Sequence, residues 1–173
     1  PFNNFQPIGT PGHPFGTDDV GRDQFARLLE AGRVSMGIGF FGAVITLTIG
    51  MVLGITAGYF GGVIDDVLSW IIATLDSIPA LFLLILISSV LSPTAESLVI
   101  VVALIGWTGT SRLVRGQTFS LRNLDYVLSA RALGASVWRI MFVHIMPNLL
   151  SVVMISLASG IGGLILAESA LSF

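Results

Sequence analysis

Residues 34–60 read VSMGIGFFGAVITLTIGMVLGITAGYF, and no charged side chain interrupts this run. As a helix, a run of this length can cross a hydrocarbon core of about 30 Å with some tilt. Small residues recur in it at every fourth position: Gly42, Thr46, Gly50, Gly54 and Gly58. At helical spacing they form one flat stripe, along which the backbone of another helix can approach closely. We therefore expect this stripe to face a neighbouring helix rather than lipid or a ligand.

Three further apolar segments indicate more membrane helices and no β-sheet. Residues 67–91 form the second span, which Asp76 and Pro79 interrupt. We expect the proline to kink this helix, because it lacks a backbone N–H. Residues 98–114 form the third span and residues 147–167 the fourth. The sequence therefore predicts an all-α bundle with four membrane spans.

The overall composition agrees with a membrane protein and excludes several kinds of site. Hydrophobic residues make up 54% of the 173 residues, charged residues only 10%, and the mean hydropathy of +0.92 is too high for a soluble domain. Cysteine is absent, so the chain has no disulfide framework and no thiolate metal site. All 8 basic residues are arginines, which excludes a phosphate-binding loop with its lysine. If ATP drives this protein, another chain hydrolyses it, and we expect no cofactor.

The segment before the first span has a different character. Residues 1–14 are rich in proline, glycine and asparagine and show no periodicity. Helix-starting residues follow: Thr17, Asp18 and Asp19. One apolar face comes next, at positions i, i+3 and i+4: Phe25, Leu28 and Leu29. We expect residues 1–33 to form an external irregular segment plus a short amphipathic helix, lying on the membrane surface or against a neighbouring helix.

The placement of arginine predicts the orientation in the membrane. Five arginines share one long polar segment: Arg112, Arg115, Arg122, Arg131 and Arg139. That segment contains a single acid, Asp125, so the positive-inside rule places it in the cytoplasm. Four spans then put residues 1–33 outside and the last span's Glu168 at the outer interface. The connection at residues 59–66 falls inside, although it is acidic, because acids count little in this rule.

The polar segment carries a recognisable motif. Residues 126–136 read YVLSARALGAS, and residues 144–148 read HIMPN. This pattern resembles the EAA loop of ABC importer permeases, in which E-A-A is followed by three residues, glycine, nine residues and I-x-L-P. Ala130, Gly134 and Pro147 fall on that spacing, while a methionine stands where leucine is usual. Either a packing contact or a backbone angle can require the glycine, which costs a helix about 1 kcal/mol relative to alanine.

The chain also departs from that motif and matches others. Leu128 and Ser129 replace the glutamate and the first alanine, so the contact of the family's glutamate is not carried over. Three further stretches resemble the dipeptide, oligopeptide and nickel branch of the permeases. They are HPFGTDDVGRD at residues 13–23, AGYFGG at residues 57–62 and ESALSF at residues 168–173.

The resemblance implies a fold, a function and partners. The fold is a polytopic transmembrane helical bundle of the type I ABC importer permease kind. Residues 34–173 are its transmembrane domain, which is partial and lacks the final helix, with a cytoplasmic coupling loop at about residues 115–147. The implied function is that of a permease subunit in the cell (inner) membrane, which does no covalent chemistry. Its implied partners are two ATPase subunits, a second homologous permease and an external binding protein that delivers di- or oligopeptides; nucleic acid is not among them.

The resemblance places the ATPase contact on a short group of residues. They are Ala130, Arg131, Ala132, Leu133, Gly134, Ala135, Ser136 and Arg139. Small side chains give such a segment a low profile that fits a groove on another protein, and the two arginines can pair with acids there. The alternative is a free loop that faces solvent or lipid headgroups.

Two acids are candidates for the translocation path. Asp76 lies about a dozen residues into the second predicted span, where an ionisable group is a functional candidate. It lines the path, pairs with another helix, or lies at the interface if that helix protrudes from the membrane. Glu168 ends the last span and is the second candidate.

Other functions receive less support from the residues. Ser111 and His144 could form an intramembrane protease dyad, but Ser111 lies beside arginines at the predicted membrane edge. A channel or secondary transporter not coupled to ATP is the main alternative, and Asp76 with Pro79 is its only hint. Nickel is a weaker substrate than peptide, because His13 and His144 are predicted on opposite sides of the membrane.

Overall fold

The computed structural model describes residues 4–79, 82–83 and 95–171, which form helices joined by turns. The α-helices are α1 (Gln24–Phe60), α2 (Gly62–Asp76), α3 (Ala95–Leu121), α4 (Asp125–Ala132), α5 (Val137–Arg139) and α6 (Leu150–Leu171). A π-helical turn, Ile140–Ile145, and a 3-10 turn, Met146–Leu149, connect α5 to α6. Across the described ranges, β-pairing is limited to two isolated bridges near the N-terminus. The all-α prediction is confirmed.

The chain divides into two compact units, Pro1–Gly37 and Ile38–Phe173. In the first unit a loop folds around the carboxylate of Asp18. One carboxylate oxygen accepts hydrogen bonds from the backbone N–H groups of Val20 at 2.9 Å and Arg22 at 2.8 Å. The other accepts from Arg22 Nε at 3.1 Å and Arg27 Nη1 at 2.7 Å. This segment is therefore irregular but closely hydrogen-bonded.

The predicted start of the first helix is wrong. Asp18 and its neighbours lie in the loop, because the Asp18 carboxylate is already occupied by loop amides and arginines. The helix begins at Gln24, and Asp23 caps it by accepting a hydrogen bond from the N–H of Phe25 at 3.0 Å. The short amphipathic helix is also not a separate element. It is the first part of the 37-residue α1, since no proline separates it from the apolar run.

The glycine stripe of α1 packs against α3, as the sequence predicts. A β-carbon added at Gly50 would lie 2.7 Å from Cβ of Thr110, and one at Gly54 would lie 2.6 Å from the carbonyl oxygen of Ser111. One added at Gly58 would lie 2.7 Å from the carbonyl oxygen of Arg115. Such distances leave no room for any side chain, so glycine is what allows the two backbones to touch.

The second predicted span is interrupted more sharply than expected. α2 ends at Asp76, and a new turn starts at Pro79, whose carbonyl accepts from the N–H of Phe82 at 2.9 Å. Pro79 thus follows the end of a helix and does not kink a continuous one, because the residue before a proline disfavours the α conformation. The rest of this predicted span, residues 80–81 and 84–91, lies outside the described residues.

Two helical segments in the described part of the chain are long and apolar enough to cross a membrane, Gln24–Phe60 and Val137–Gly163. They include the first predicted span and most of the fourth, residues 147–163, although the second segment begins ten residues before Pro147. Residues 98–114 of the third predicted span lie within α3. The total number of membrane crossings stays a prediction.

A buried apolar cluster joins most of these elements in the second unit. Its members are Ile55, Val114, Val127, Ile140, Met141, Ile145, Leu149 and Val153. They come from α1, α3, α4, the two turns after α5, and α6. A smaller cluster of Ala57, Leu68, Ile72 and Trp107 joins α1, α2 and α3. The polar segment around α4 is therefore anchored on a packed core.

Candidate functional site

The loop around Gly134 begins where α4 ends. The N–H of Gly134 donates to the carbonyl of Arg131 at 3.0 Å, and the N–H of Ala135 donates to the carbonyl of Ala130 at 3.0 Å. This pair of bonds is a Schellman motif, which requires a left-handed residue directly after the helix. Gly134 has that conformation, with φ of +80°. An added β-carbon there would meet nothing within 4 Å, so the glycine is required by a backbone angle and not by packing.

The other side of the loop starts the next helix. Ser136 is the N-cap of α5, and its hydroxyl oxygen accepts a hydrogen bond from the N–H of Arg139 at 3.3 Å. Ala130 and Ala135 are half-buried, whereas the other predicted contact residues are exposed. The apolar side chain of Leu133 is 88% exposed at the tip of the loop. Beneath the loop, Val127 and Ile140 are fully buried, so the tip is held rigidly but remains free to meet another molecule.

Two arginines of the polar segment at residues 115–147 contact the end of α1. Arg122 Nη1 donates to the carbonyl oxygens of Gly58 and Tyr59, both at 3.0 Å. The guanidinium carbon of Arg122 also lies 3.9 Å from the ring centroid of Phe119. The guanidinium carbon of Arg131, on α4, lies 5.4 Å from the ring centroid of Tyr59, within the range of a cation–π contact.

Two more arginines bind acids on α2. Arg115 forms a two-pronged ion pair with Asp65, whose second bond, Nη2 to Oδ2, is 2.7 Å long. Arg112 pairs with Asp76, which also accepts a hydrogen bond from the hydroxyl of Thr108 at 3.1 Å. The side chain of Asp65 is 12% exposed and that of Asp76 is 39% exposed. Four of the five arginines that predicted the orientation therefore make side-chain contacts within the chain.

Sequence reasoning missed these two ion pairs, although it offered a signal. Asp65 and Asp76 are eleven residues apart on α2, which is close to three full turns, so both lie on one face. Arg112 and Arg115 are also close to one turn apart on α3. The two acids can be matched to the two arginines only if α2 and α3 are known to be antiparallel neighbours.

The structure pairs Asp76 with α3, which is one of the roles left open by the sequence. Asp76 lies beside Thr108 and Arg112, near the arginine-rich end of α3. Glu168 lies on α6, and its side chain falls outside the described part. A role of either acid in the translocation path stays a prediction.

The structure does not bring a protease dyad together. The hydroxyl of Ser111 is buried and has no hydrogen-bond partner among the described residues. His144 faces the ring of Tyr126 at 6.5 Å between centroids, and its carbonyl accepts from Asn148 Nδ2 at 2.7 Å. His13 lies in the first unit, 3.7 Å from a carboxylate oxygen of Asp23.

Residues 50–173 match the sequence profile of the family described as the binding-protein-dependent transport system inner membrane component. The chain belongs to this family. The matched range of the inner membrane component includes the glycine contact, both ion pairs and the loop around Gly134. The resemblance seen in the EAA-like spacing is confirmed, and with it the type I ABC permease fold.

Similar inner membrane components include permeases with named substrates. The chain is 36% identical to the dipeptide transport system permease protein DppC of Bacillus subtilis over 161 residues, which is 93% of the chain and 50% of that protein. It is 37% identical to the oligopeptide permease OppC of the same organism, with 93% and 53% covered. It is 35% identical to the glutathione permease GsiD of Pectobacterium atrosepticum, with 93% and 54% covered. The chain thus spans about half the length of these relatives.

Proposed function

We propose that this chain acts as the permease subunit of an ATP-driven importer and forms part of the path for di- or oligopeptides. An external binding protein delivers the peptide, and two separate ATPase subunits hydrolyse ATP. A second, homologous permease completes the path. The protein crosses the membrane several times, and the segment at residues 115–147 faces the cytoplasm. Asp76 and Glu168 are the candidate path residues, and the chain itself does no covalent chemistry.

The observation that carries this proposal is the geometry of the loop around Gly134. Its tip is a helix end closed by two backbone hydrogen bonds, with small side chains and one exposed leucine, Leu133. Burial of this leucine in a groove on another protein would be favourable, because it removes apolar surface from water. Arg131 and Arg139 stand beside it and can pair with acids of that partner.

The proposed mechanism follows from this arrangement. ATP-driven closure of the ATPases would draw the two coupling loops of the permease pair together. Because Val127 and Ile140 fix the loop to the core, the membrane helices move with it and open the path alternately to each side. The peptide assignment rests on the printed names of the dipeptide and oligopeptide permeases that this chain resembles.

Three substitutions at Gly134 separate docking from folding. Asparagine tolerates the left-handed conformation, whereas alanine and tryptophan each carry a strain of about 1–2 kcal/mol. Since the space around Gly134 is open, tryptophan should strain the isolated chain no more than alanine does. Against the ATPase, however, only tryptophan adds bulk. We expect Gly134→Asn to transport normally, Gly134→Ala to transport less, and Gly134→Trp to insert in the membrane but lose transport.

The measurement is peptide uptake and co-purification of the ATPase subunits, at matched membrane expression, for the whole protein in its transporter. Equal transport by Gly134→Trp and Gly134→Ala, with the ATPase bound, would show that the loop is not the coupling element. Uptake by wild type without ATP would instead support the channel or secondary transporter.

A further inference from the structure

The last turn of α1 is completed by a residue from elsewhere in the chain. The final carbonyls of a helix have no partner within it, and α1 has no basic residue in its last turn. Arg122, which directly follows α3, supplies both the donor and the positive charge, through its two 3.0 Å bonds to Gly58 and Tyr59. A cation at this end of a helix is favourable because the helix dipole is negative there.

The side chain of Tyr59 links the same turn to the coupling loop. Its ring lies under Arg131 of α4 and packs against the buried cluster that contains Val127 and Ile140. The end of α1 is therefore held at two points. Its backbone contacts Arg122, in the turn that joins α3 to α4, and its Tyr59 ring contacts Arg131 of α4.

The connection from α1 to α2 is very short. α1 ends at Phe60 and α2 begins at Gly62, so Gly61 alone lies between them, with φ of +67°. An added β-carbon at Gly61 would lie 3.2 Å from Arg122 Nη1. The guanidinium of Arg122 therefore lies directly beside the turn that joins the two helices.

We propose that Arg122 and Tyr59 are positioning residues that carry the movement of the coupling loop into α1 and α2. This proposal rests on the proposed function, because it assumes that an ATPase moves the loop. It adds the route: the loop acts on the carbonyl end of α1 through Arg122, and on the Tyr59 ring through Arg131. Neither residue contacts substrate or ATP in this role.

The test compares Arg122→Ala, Tyr59→Leu and the double variant in the assembled transporter. The matched control is Asn123→Ala, which removes a side chain from the same turn; its amide Nδ2 donates to the carbonyl oxygen of Phe119, in α3, at 3.3 Å. Uptake and ATP hydrolysis are both expressed per assembled complex. We expect Arg122→Ala to keep ATP hydrolysis but lower uptake about tenfold, as an ordinary coupling free energy would. Arg122→Lys should restore part of the uptake, and Asn123→Ala should match wild type.

The double variant should have an uptake only slightly below that of the more impaired single variant, because both residues connect the same two elements and their effects are not additive. Unchanged uptake per complex in Arg122→Ala would overturn the proposal. So would parallel losses of uptake and ATP hydrolysis, which indicate a merely structural role. If Arg122→Ala does not assemble, the uptake and ATP hydrolysis of Tyr59→Leu test the proposal in the same way, since this variant keeps an apolar side chain in the core. A wild-type protein that binds no ATPase would contradict the proposed function instead, so the two failures are distinguishable.

Discussion

The two sides of α3 are held by different forces. Toward α1, glycine lets two backbones touch, and the hydroxyls of Ser111 and Thr118 are buried there with no hydrogen-bond partner within the described part. Toward α2, the contact is made by ion pairs to Asp65 and Asp76. The first contact depends on shape alone, whereas the second depends on charge. The two contacts lie at the same levels of the helix: Gly58 meets the Arg115 backbone on one side, while Asp65 binds the Arg115 side chain on the other.

The largest expected effect comes from filling the glycine contact. Gly54→Leu should cost about 3 kcal/mol or more, because its β-carbon alone would lie 2.6 Å from the Ser111 carbonyl oxygen. Thermal unfolding of the purified protein in detergent measures the loss. Gly109→Leu is the control, since a β-carbon at Gly109 on α3 would meet nothing within 4 Å. Equal destabilisation by the two variants would show that α1 and α3 do not pack through glycine.

The ion pairs should be weaker, and unequal. Asp65→Asn leaves Arg115 partly buried without its partner and should cost about 2 kcal/mol, below the 3–5 kcal/mol of a fully buried pair. Asp76→Asn breaks a largely exposed pair and should cost about 0–1 kcal/mol. Chemical denaturation at low and high salt measures both. Because salt screens exposed charges most, only the Asp76 effect should fade. A larger loss of unfolding free energy in Asp76→Asn than in Asp65→Asn would contradict this prediction.

The smallest expected effect concerns a carboxylate of the first unit, Asp18. The backbone N–H of Arg22 holds the pKa of the Asp18 carboxyl below its usual value; the N–H of Val20 and the charges of Arg22 and Arg27 act in the same direction, and burial opposes them. A lowered folded-state pKa means that Asp18 stabilises its loop above the unfolded pKa of about 3.9. That stability is lost as the pH falls through the folded pKa.

Amide NMR of labelled protein in detergent tests this prediction. The Val20 and Arg22 amide signals should shift only at pH values below the ordinary aspartate range. Asp19→Asn is the control, because it changes an exposed acid in the same loop and should leave the titration intact. A midpoint at or above the ordinary value would contradict the prediction, whereas Asp18→Asn should abolish the titration.

Periodicity and spacing made part of this structure predictable. A repeat of four is visible in one stretch of sequence, so the contact of Gly50, Gly54 and Gly58 could be expected without knowing the partner helix. The place of Gly134 on the polar segment followed from its spacing to Ala130 and Pro147, but its place just after the end of α4 did not. The reason for that glycine could not be predicted, because the positive φ is required by the position after a helix end and not by the identity of the neighbouring residues.

Side-chain contacts that periodicity does not describe explain the errors. Asp18 has the chemistry of a helix cap, but Arg22 and Arg27 occupy its carboxylate, and Asp23 takes the cap instead. The pair of Arg115 and Asp65 joins residues fifty positions apart. A local pattern cannot reveal such a pair, since it depends on the order in which helices pack. A proline such as Pro79 is compatible with a kinked helix or with a helix end. The end of α2 at Asp76 shows that it is a helix end here.

The π turn and the 3-10 turn between α5 and α6 set the angular phase of α6. Residues in an α-helix advance by about 100° each, while a π turn advances less per residue and a 3-10 turn more. Placed in succession over Ile140–Ile145 and Met146–Leu149, the two deviations oppose each other. Buried residues therefore continue at every fourth position across both turns: Met141, Ile145, Leu149 and Val153. Loss of either turn alone would rotate α6 against the loop and carry its buried face out of the core.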